Sequence, residues 1–266
     1  MTSLRSCVAV LLLGASALCT PASATSYSTD QSDLWYIPAE AGWGIQLVER
    51  GDLVFATLFV YDSSKVPIWY GGTLYPTGAS FTWSGANYQT TGPWFGNVPY
   101  DPAQFAANPV GTMTWVATST TTGTLTYTVN GVSVTKLIQR QNIVNDDFSG
   151  NFQGAIHRAL GSCSNPASNG TSELSAGLFI DQVNTSMSVT TSDAQGVMCT
   201  YSGTLSQAGQ MGSISGTYSC NTSDNGSFNI FELQVNISGI TGRFAQSSNF
   251  TGCVGNGWFA GMRTAP

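Results

Sequence analysis

The sequence predicts an all-β protein made of two tandem antiparallel meander barrels (or sandwiches), the second stapled by disulfides. Three observations carry this. Only 8% of the 266 residues are charged, while 42% are hydrophobic and 11% aromatic, enough apolar content to build a core. Apolar residues alternate with Thr, Ser, Gly and Asn at period two, and no stretch sustains a helical period. Turn signals recur at the short spacing of meanders. A barrel is preferred to a sandwich, because closure removes the edges that neutral, Thr-rich strands leave exposed.

The first 24 residues read as an export signal. Arg5 supplies a positive start, Val8 to Leu13 an apolar run, and Pro21-Ala22-Ser23-Ala24 the small residues of a cleavage site after Ala24. The apolar run is shorter than the ~20 residues that span a bilayer, and no later segment is long enough. The mature chain is expected to be secreted, outside the cell or in the periplasm, with no membrane span. Losing Arg5 leaves fourteen acids against seven scattered bases, so nucleic acid is not an expected partner. Residues 25–32 form a short N-terminal segment without the alternating apolar residues of a donated strand.

The first domain is expected at 33–141. Trp43 to Leu47 alternates and turns at Arg50-Gly51-Asp52. Leu53 to Tyr61 follows as a strand with apolar residues on both faces, read as buried. Ile68-Trp69-Tyr70, Thr112 to Val116 and Leu125 to Val129 continue the pattern. Asn130-Gly131 tolerates φ > 0 at both centres of a type I′ turn and closes a tight hairpin into Val132. Asn142 to Asp146 reads as a linker: six of the seven Trp precede it, and every Cys outside the export signal follows it.

The second domain, 147–266, offers strands at 150–159, 176–190, 197–205, 212–220, 228–237, 239–245 and 257–263. Its cysteines are Cys163, Cys199, Cys220 and Cys253. An even count in an exported chain reads as two disulfides. Three connectivities exist, and Cys199–Cys220 with Cys163–Cys253 is favoured. The first would join neighbouring strands and the second the front of the domain to its last strand. The spacing and the single histidine do not fit a metal site, and no cofactor is expected. The halves also rhyme: each opens on Asp and an aromatic (Asp33, Trp35; Asp147, Phe148), and each closes on a strand ending in Arg (Arg140; Arg263).

The run Leu34-Trp35-Tyr36-Ile37-Pro38-Ala39-Glu40-Ala41-Gly42-Trp43-Gly44 resembles the W-x-x-P-x-E-x-G-W-G opening of a family of exported proteobacterial β-proteins. The resemblance continues through Gly51 to Thr57, Tyr61-Asp62, Thr91-Gly92-Pro93, Val110-Gly111-Thr112, Tyr127 to Val132 and Lys136 to Gln141. Tyr36-Ile37 stands where that family carries an aromatic-polar pair. The resemblance implies an accessory role without catalysis. The second half is similar only in style to avidin-like and lipocalin-like barrels, through Gly216-Thr217-Tyr218 and a terminal strand from Trp258 to Arg263; this implies topology and no ligand.

Aromatics crowd the first domain between Trp35 and Tyr100. Their faces stack on the C–H faces of sugars at little entropic cost. Trp94 and Phe95 lie in a Pro/Gly/Asn-rich loop extending through Pro109, a setting suited to binding. Trp35, Tyr36, Trp83 and Glu40 complete the candidate ligand-binding set. Trp43, Trp69 and Trp115 are expected to point inward, and Glu40 also to brace the Gly42-Trp43-Gly44 turn. His157 lacks a nucleophile elbow and reads as a surface or barrel-end residue. The expectation is a secreted, non-enzymatic binding protein for an extracellular or envelope ligand, a glycan foremost. The alternatives are a surface, matrix or adhesin subunit, and a β-barrel protease inhibitor. The sequence leaves oligomeric state open.

Overall fold

The computed structural model describes residues 29–264; the expected export signal lies outside them. Among the described residues sixteen strands form two closed eight-stranded barrels in tandem. The first comprises β1 (Asp33–Tyr36), β2 (Gly44–Arg50), β3 (Leu53–Tyr61), β4 (Pro67–Pro76), β5 (Thr82–Thr91), β6 (Ala106–Ala117), β7 (Thr122–Val129) and β8 (Val132–Arg140). The second comprises β9 (Gly150–Gly161), β10 (Gly170–Val183), β11 (Ser186–Asp193), β12 (Met198–Ala208), β13 (Met211–Cys220), β14 (Asn225–Val235), β15 (Gly239–Ser248) and β16 (Val254–Arg263). Neighbouring strands pair antiparallel in chain order, and each barrel closes by pairing its first strand with its last.

Period two sets the inside of each barrel. Ile45, Leu47, Val54, Ala56, Leu58, Leu74, Met113, Trp115, Leu125 and Ile138 fill the first. Phe148, Phe152, Leu178, Met187, Ile214, Phe228, Leu233 and Phe259 fill the second. The inward position 123 has room only for glycine: a Cβ built there would lie 2.0 Å from the Trp115 ring. The Asn130-Gly131 turn takes φ of 48° and 84°, the doubly positive geometry its sequence predicts.

Three expectations about elements need correction. Residues 176–190 are not one strand: Asn184 enters the left-handed region at φ 57° and turns β10 back into β11. Asn tolerates that region, so the turn occurs without a glycine. The first-domain loop ends at Phe105, and β6 takes up its last residues from Ala106 by pairing with Thr91. β3 is buried on one face only; Leu53, Phe55, Phe59 and Tyr61 are exposed.

The barrels meet end to end. The β12–β13 turn grips both the start of the first barrel and the connecting segment. Gln210 donates its backbone N–H to Asp33 Oδ2 (2.9 Å), and Asn142 donates to Gln207 O (3.1 Å). Gln207 and Asp146 bond each other twice, at 2.9 Å each. At the far end of the second barrel, Cys163–Cys253 ties the β9–β10 loop to the β15–β16 turn, and Cys199–Cys220 joins the directly opposed ends of β12 and β13. This is the favoured connectivity. Disulfides mark an oxidising setting, here the envelope or the extracellular space.

Candidate functional site

Two places present chemistry. The first is the outer face of β2, β3 and β4, read rung by rung from the register. Phe59 sits between Gly44 and Trp69; Thr57 between Gln46 and Gly71; Phe55 between Val48 and Thr73. Aromatic rungs therefore flank a rung of amide, hydroxyl and glycine. Phe55, Phe59 and Trp69 are 49%, 43% and 49% exposed. Gly71 lies between the rings: a Cβ there would meet Phe55 Cζ at 3.8 Å and Trp69 Cζ3 at 3.9 Å, in ordinary van der Waals contact. Tyr61 and Tyr75 extend the patch along the strands, both exposed.

The sequence-predicted residues distribute differently. Trp35 and Trp83 are not surface contacts. They are 0% and 5% exposed, because both fall on the inward phase of their strands. Trp35 stacks edge-on against Trp115 at 4.6 Å and donates to Gln31 O (3.1 Å), and Trp83 donates to Asp52 O (3.1 Å). Trp69, expected inward, points out, since in β4 the inward phase belongs to Ile68 and Tyr70. Trp115 is fully buried and Trp43 partly so. Tyr36 is half-buried beside the seam, opposite Gln139. Trp94 and Phe95 stand free at 64% and 88% exposure, their rings 5.5 Å apart, at the barrel end away from the second domain.

Glu40 is held by its neighbours. Its carboxylate accepts from Lys136 Nζ at 2.8 and 2.9 Å and from Trp43 Nε1 at 3.0 Å. The Lys136 hydrogen bond is the main cause of a pKa below the usual carboxylate range; burial opposes it, and Trp43 helps. The contact braces the β1–β2 turn against β8. His157 lies on the outside of β9, stacked on Trp258 at 3.8 Å and hydrogen-bonded to Glu173. Among the described residues no cluster of three or more His, Cys, Asp or Glu could hold a metal.

The second place is inside the second barrel, and sequence reasoning missed it. A funnel runs down from the disulfide-bearing rim. Its floor, an empty volume of about 410 Å³ counting space open to solvent, is lined by Leu178, Val189, Phe228, Ile230 and Phe259. Its mouth is lined by Arg158, Leu174, Asp193, Val197 and Gln246, and the two share Ile156, Thr191, Tyr201 and Phe244. Tyr201 stacks on Tyr218 at 5.3 Å and meets Phe228 edge-on at 5.2 Å. Burial raises Tyr201 to about 12; Tyr218 rises to about 12 by burial and by the charge of Asp224. The signal was present in the sequence: Phe152, Gly154, Ile156 and Arg158 share one strand phase, which puts a guanidinium on a core-facing row.

No protein-family model matches the chain, and no curated protein does. Among solved structures, it is similar to a protein of Bacteroides fragilis described as a "putative outer membrane protein", at 12% identity and TM-score 0.32, over 79% of this chain and 89% of that one. It is also similar to a protein of unknown function from the DUF3598 family of Nostoc punctiforme, at 11% identity and TM-score 0.26, over 88% and 94%. Among the described residues no helix is long and apolar enough to cross a membrane.

Proposed function

We propose that this is a secreted, non-catalytic binding protein whose first barrel recognises an extracellular glycan on the outer face of β2–β4. The observation that carries this reading is the alternation of aromatic and polar rungs around Gly71. A sugar ring offers an apolar C–H face and a rim of hydroxyls. Phe55, Phe59 and Trp69 supply matching apolar area, while Gln46, Thr57 and Thr73 supply donors and acceptors between them. A contiguous exposed apolar patch on a folded surface marks an interaction site. Trp94 and Phe95 form a separate exposed aromatic pair at one barrel end. The export signal and the disulfides suit delivery to a compartment where such polymers are found.

The test is retention on insoluble polysaccharides, with Trp69→Ala and Trp94→Ala compared to wild type. Wild type is retained on at least one glycan. Trp69→Ala lowers affinity by about 1–3 kcal/mol, the contribution of one large buried contact, and leaves the melting temperature nearly unchanged. No retention on any glycan ends this reading. So does a dimer in analytical ultracentrifugation that Trp69→Ala dissociates, which would assign the patch to a second copy of the chain.

A further inference from the structure

We propose that the second barrel binds a small organic carboxylate in its funnel, the apolar body on the floor and the carboxylate against the Arg158 guanidinium and the Tyr201 hydroxyl. The site is independent of the aromatic face of the first barrel.

Arg158 is the starting point. Its Nε is buried without a hydrogen-bond partner, and among the described residues its guanidinium has neither ion pair nor hydrogen bond. Arg158 as a whole is only half-buried, so the unmade bond is that of Nε, and a buried N–H left without a partner is uncommon where no ligand completes the site. The guanidinium fork fits a carboxylate in two parallel bonds. Neither acid nearby is bonded to Arg158. Asp193 Oδ1 accepts the backbone N–H groups of Gln195 and Val197, both at 2.9 Å. Asp224 accepts the hydroxyls of Tyr218 (3.2 Å) and Ser248 (2.5 Å).

Tyr201 supplies the second donor. Its hydroxyl has only a long contact to Gln246 Oε1 (3.5 Å) and, as an ordinary phenol, is protonated at neutral pH. Below it the funnel turns apolar, with Leu178, Phe228 and Phe259 on the floor. A polar head at the rim over an apolar base selects an amphiphile. The single cation at the mouth favours a monoanionic head over a neutral lipid. The floor is narrow, which selects a short or flat body over a long chain. The disulfides hold the rim strands in register around the opening.

Isothermal titration calorimetry of the full mature protein with octanoate, and with octan-1-ol as its neutral counterpart, tests this. Wild type binds octanoate saturably at one site, and octan-1-ol at least about tenfold more weakly, the margin expected for a charge-assisted pair. Arg158→Gln lowers octanoate affinity by about tenfold or more and leaves octan-1-ol unchanged, with circular dichroism confirming the fold. Leu178→Trp, which fills the floor, removes binding of both. Trp69→Ala leaves octanoate binding intact, so loss of the glycan reading and loss of this one are separable. Absence of saturable octanoate binding by wild type overturns the proposal, as does equal affinity for the acid and the alcohol; both hold whether or not the variants fold. Undiminished octanoate binding by folded Arg158→Gln overturns it as well.

Discussion

The two barrels share a topology and a closing device, yet they are sealed by different means. In the first, β1 meets β8 only at Trp35–Arg140 and Tyr36–Gln139. In the second, β9 and β16 pair continuously from Gly161–Val254 to Phe152–Arg263. In both, the arginine ending the last strand lies over an aromatic ring of the first: Arg140 over Trp35 at 4.5 Å and Arg263 over Phe152 at 4.7 Å. The burial of the two arginines differs. The Arg140 side chain is fully buried. Its Nε donates to Thr120 O (2.7 Å), its Nη1 to Ser32 O and Asp33 Oδ2 (3.1 Å each), and its Nη2 to Asp30 O. Arg263 is exposed and donates to Ser149 O at 3.0 Å. A short ladder thus coincides with a buried, fully bonded cation, and a long ladder with an exposed one. The first barrel relies on side chains for closure, and the second on backbone and disulfides.

The largest effect that would sharpen this contrast is reduction. Chain-entropy arguments give about 4–5 kcal/mol for Cys163–Cys253 and about 3 kcal/mol for Cys199–Cys220, with measured values often lower. Adding a reductant should destabilise the second barrel and leave the first folded. Denaturant unfolding followed by tryptophan fluorescence reads this, because Trp258 alone reports on the second barrel and the other six Trp on the first. Loss of both barrels together would show that they unfold as one unit.

Next in size is the arginine pair. Arg140→Ala removes the ion-pair partner of the Asp33 carboxylate, which keeps its bonds from Leu34 and Gln210, and strips a donor from three carbonyl acceptors; it should cost about 3–5 kcal/mol. Arg263→Ala removes an exposed contact and should cost about 1 kcal/mol or less. Equal costs in chemical denaturation would break the comparison of the two seams.

A third effect is alkaline. Tyr201 has a folded-state pKa of about 12, above the ordinary value near 10. Its neutral form is therefore the one the fold favours. That stabilisation is fully present below about pH 10 and is lost as pH rises through about 12, up to about 3 kcal/mol in all. Tyr201→Phe should flatten the fall in urea midpoint between pH 9 and pH 11.5. An unchanged slope would place the sensitivity elsewhere.

Much of this architecture is legible in the chain, and each part has a local cause. Alternation marks the strands because side chains in a strand face opposite sides in turn. Asn130-Gly131 names its own turn. The connectivity Cys199–Cys220 follows from two strands that neighbour each other across one turn. Asn184 escaped notice because its left-handed turn needs no glycine. Gln31 escaped because an isolated polar residue before the first strand gives no sign that its amide will sit 1% exposed and accept the Trp115 indole N–H at 3.0 Å.

The sequence by itself determined the all-β class, most of the strands and the order of two domains, and it favoured the disulfide pairing without fixing it, since periodicity and turn chemistry act between near neighbours. Only the tertiary structure decided which phase of each strand faced inward. A single step in phase buried Trp35 and Trp83, turned Trp69 to solvent, and aimed Arg158 into an apolar funnel. Alternation states that two faces exist; closure of the barrel states which of them is the core.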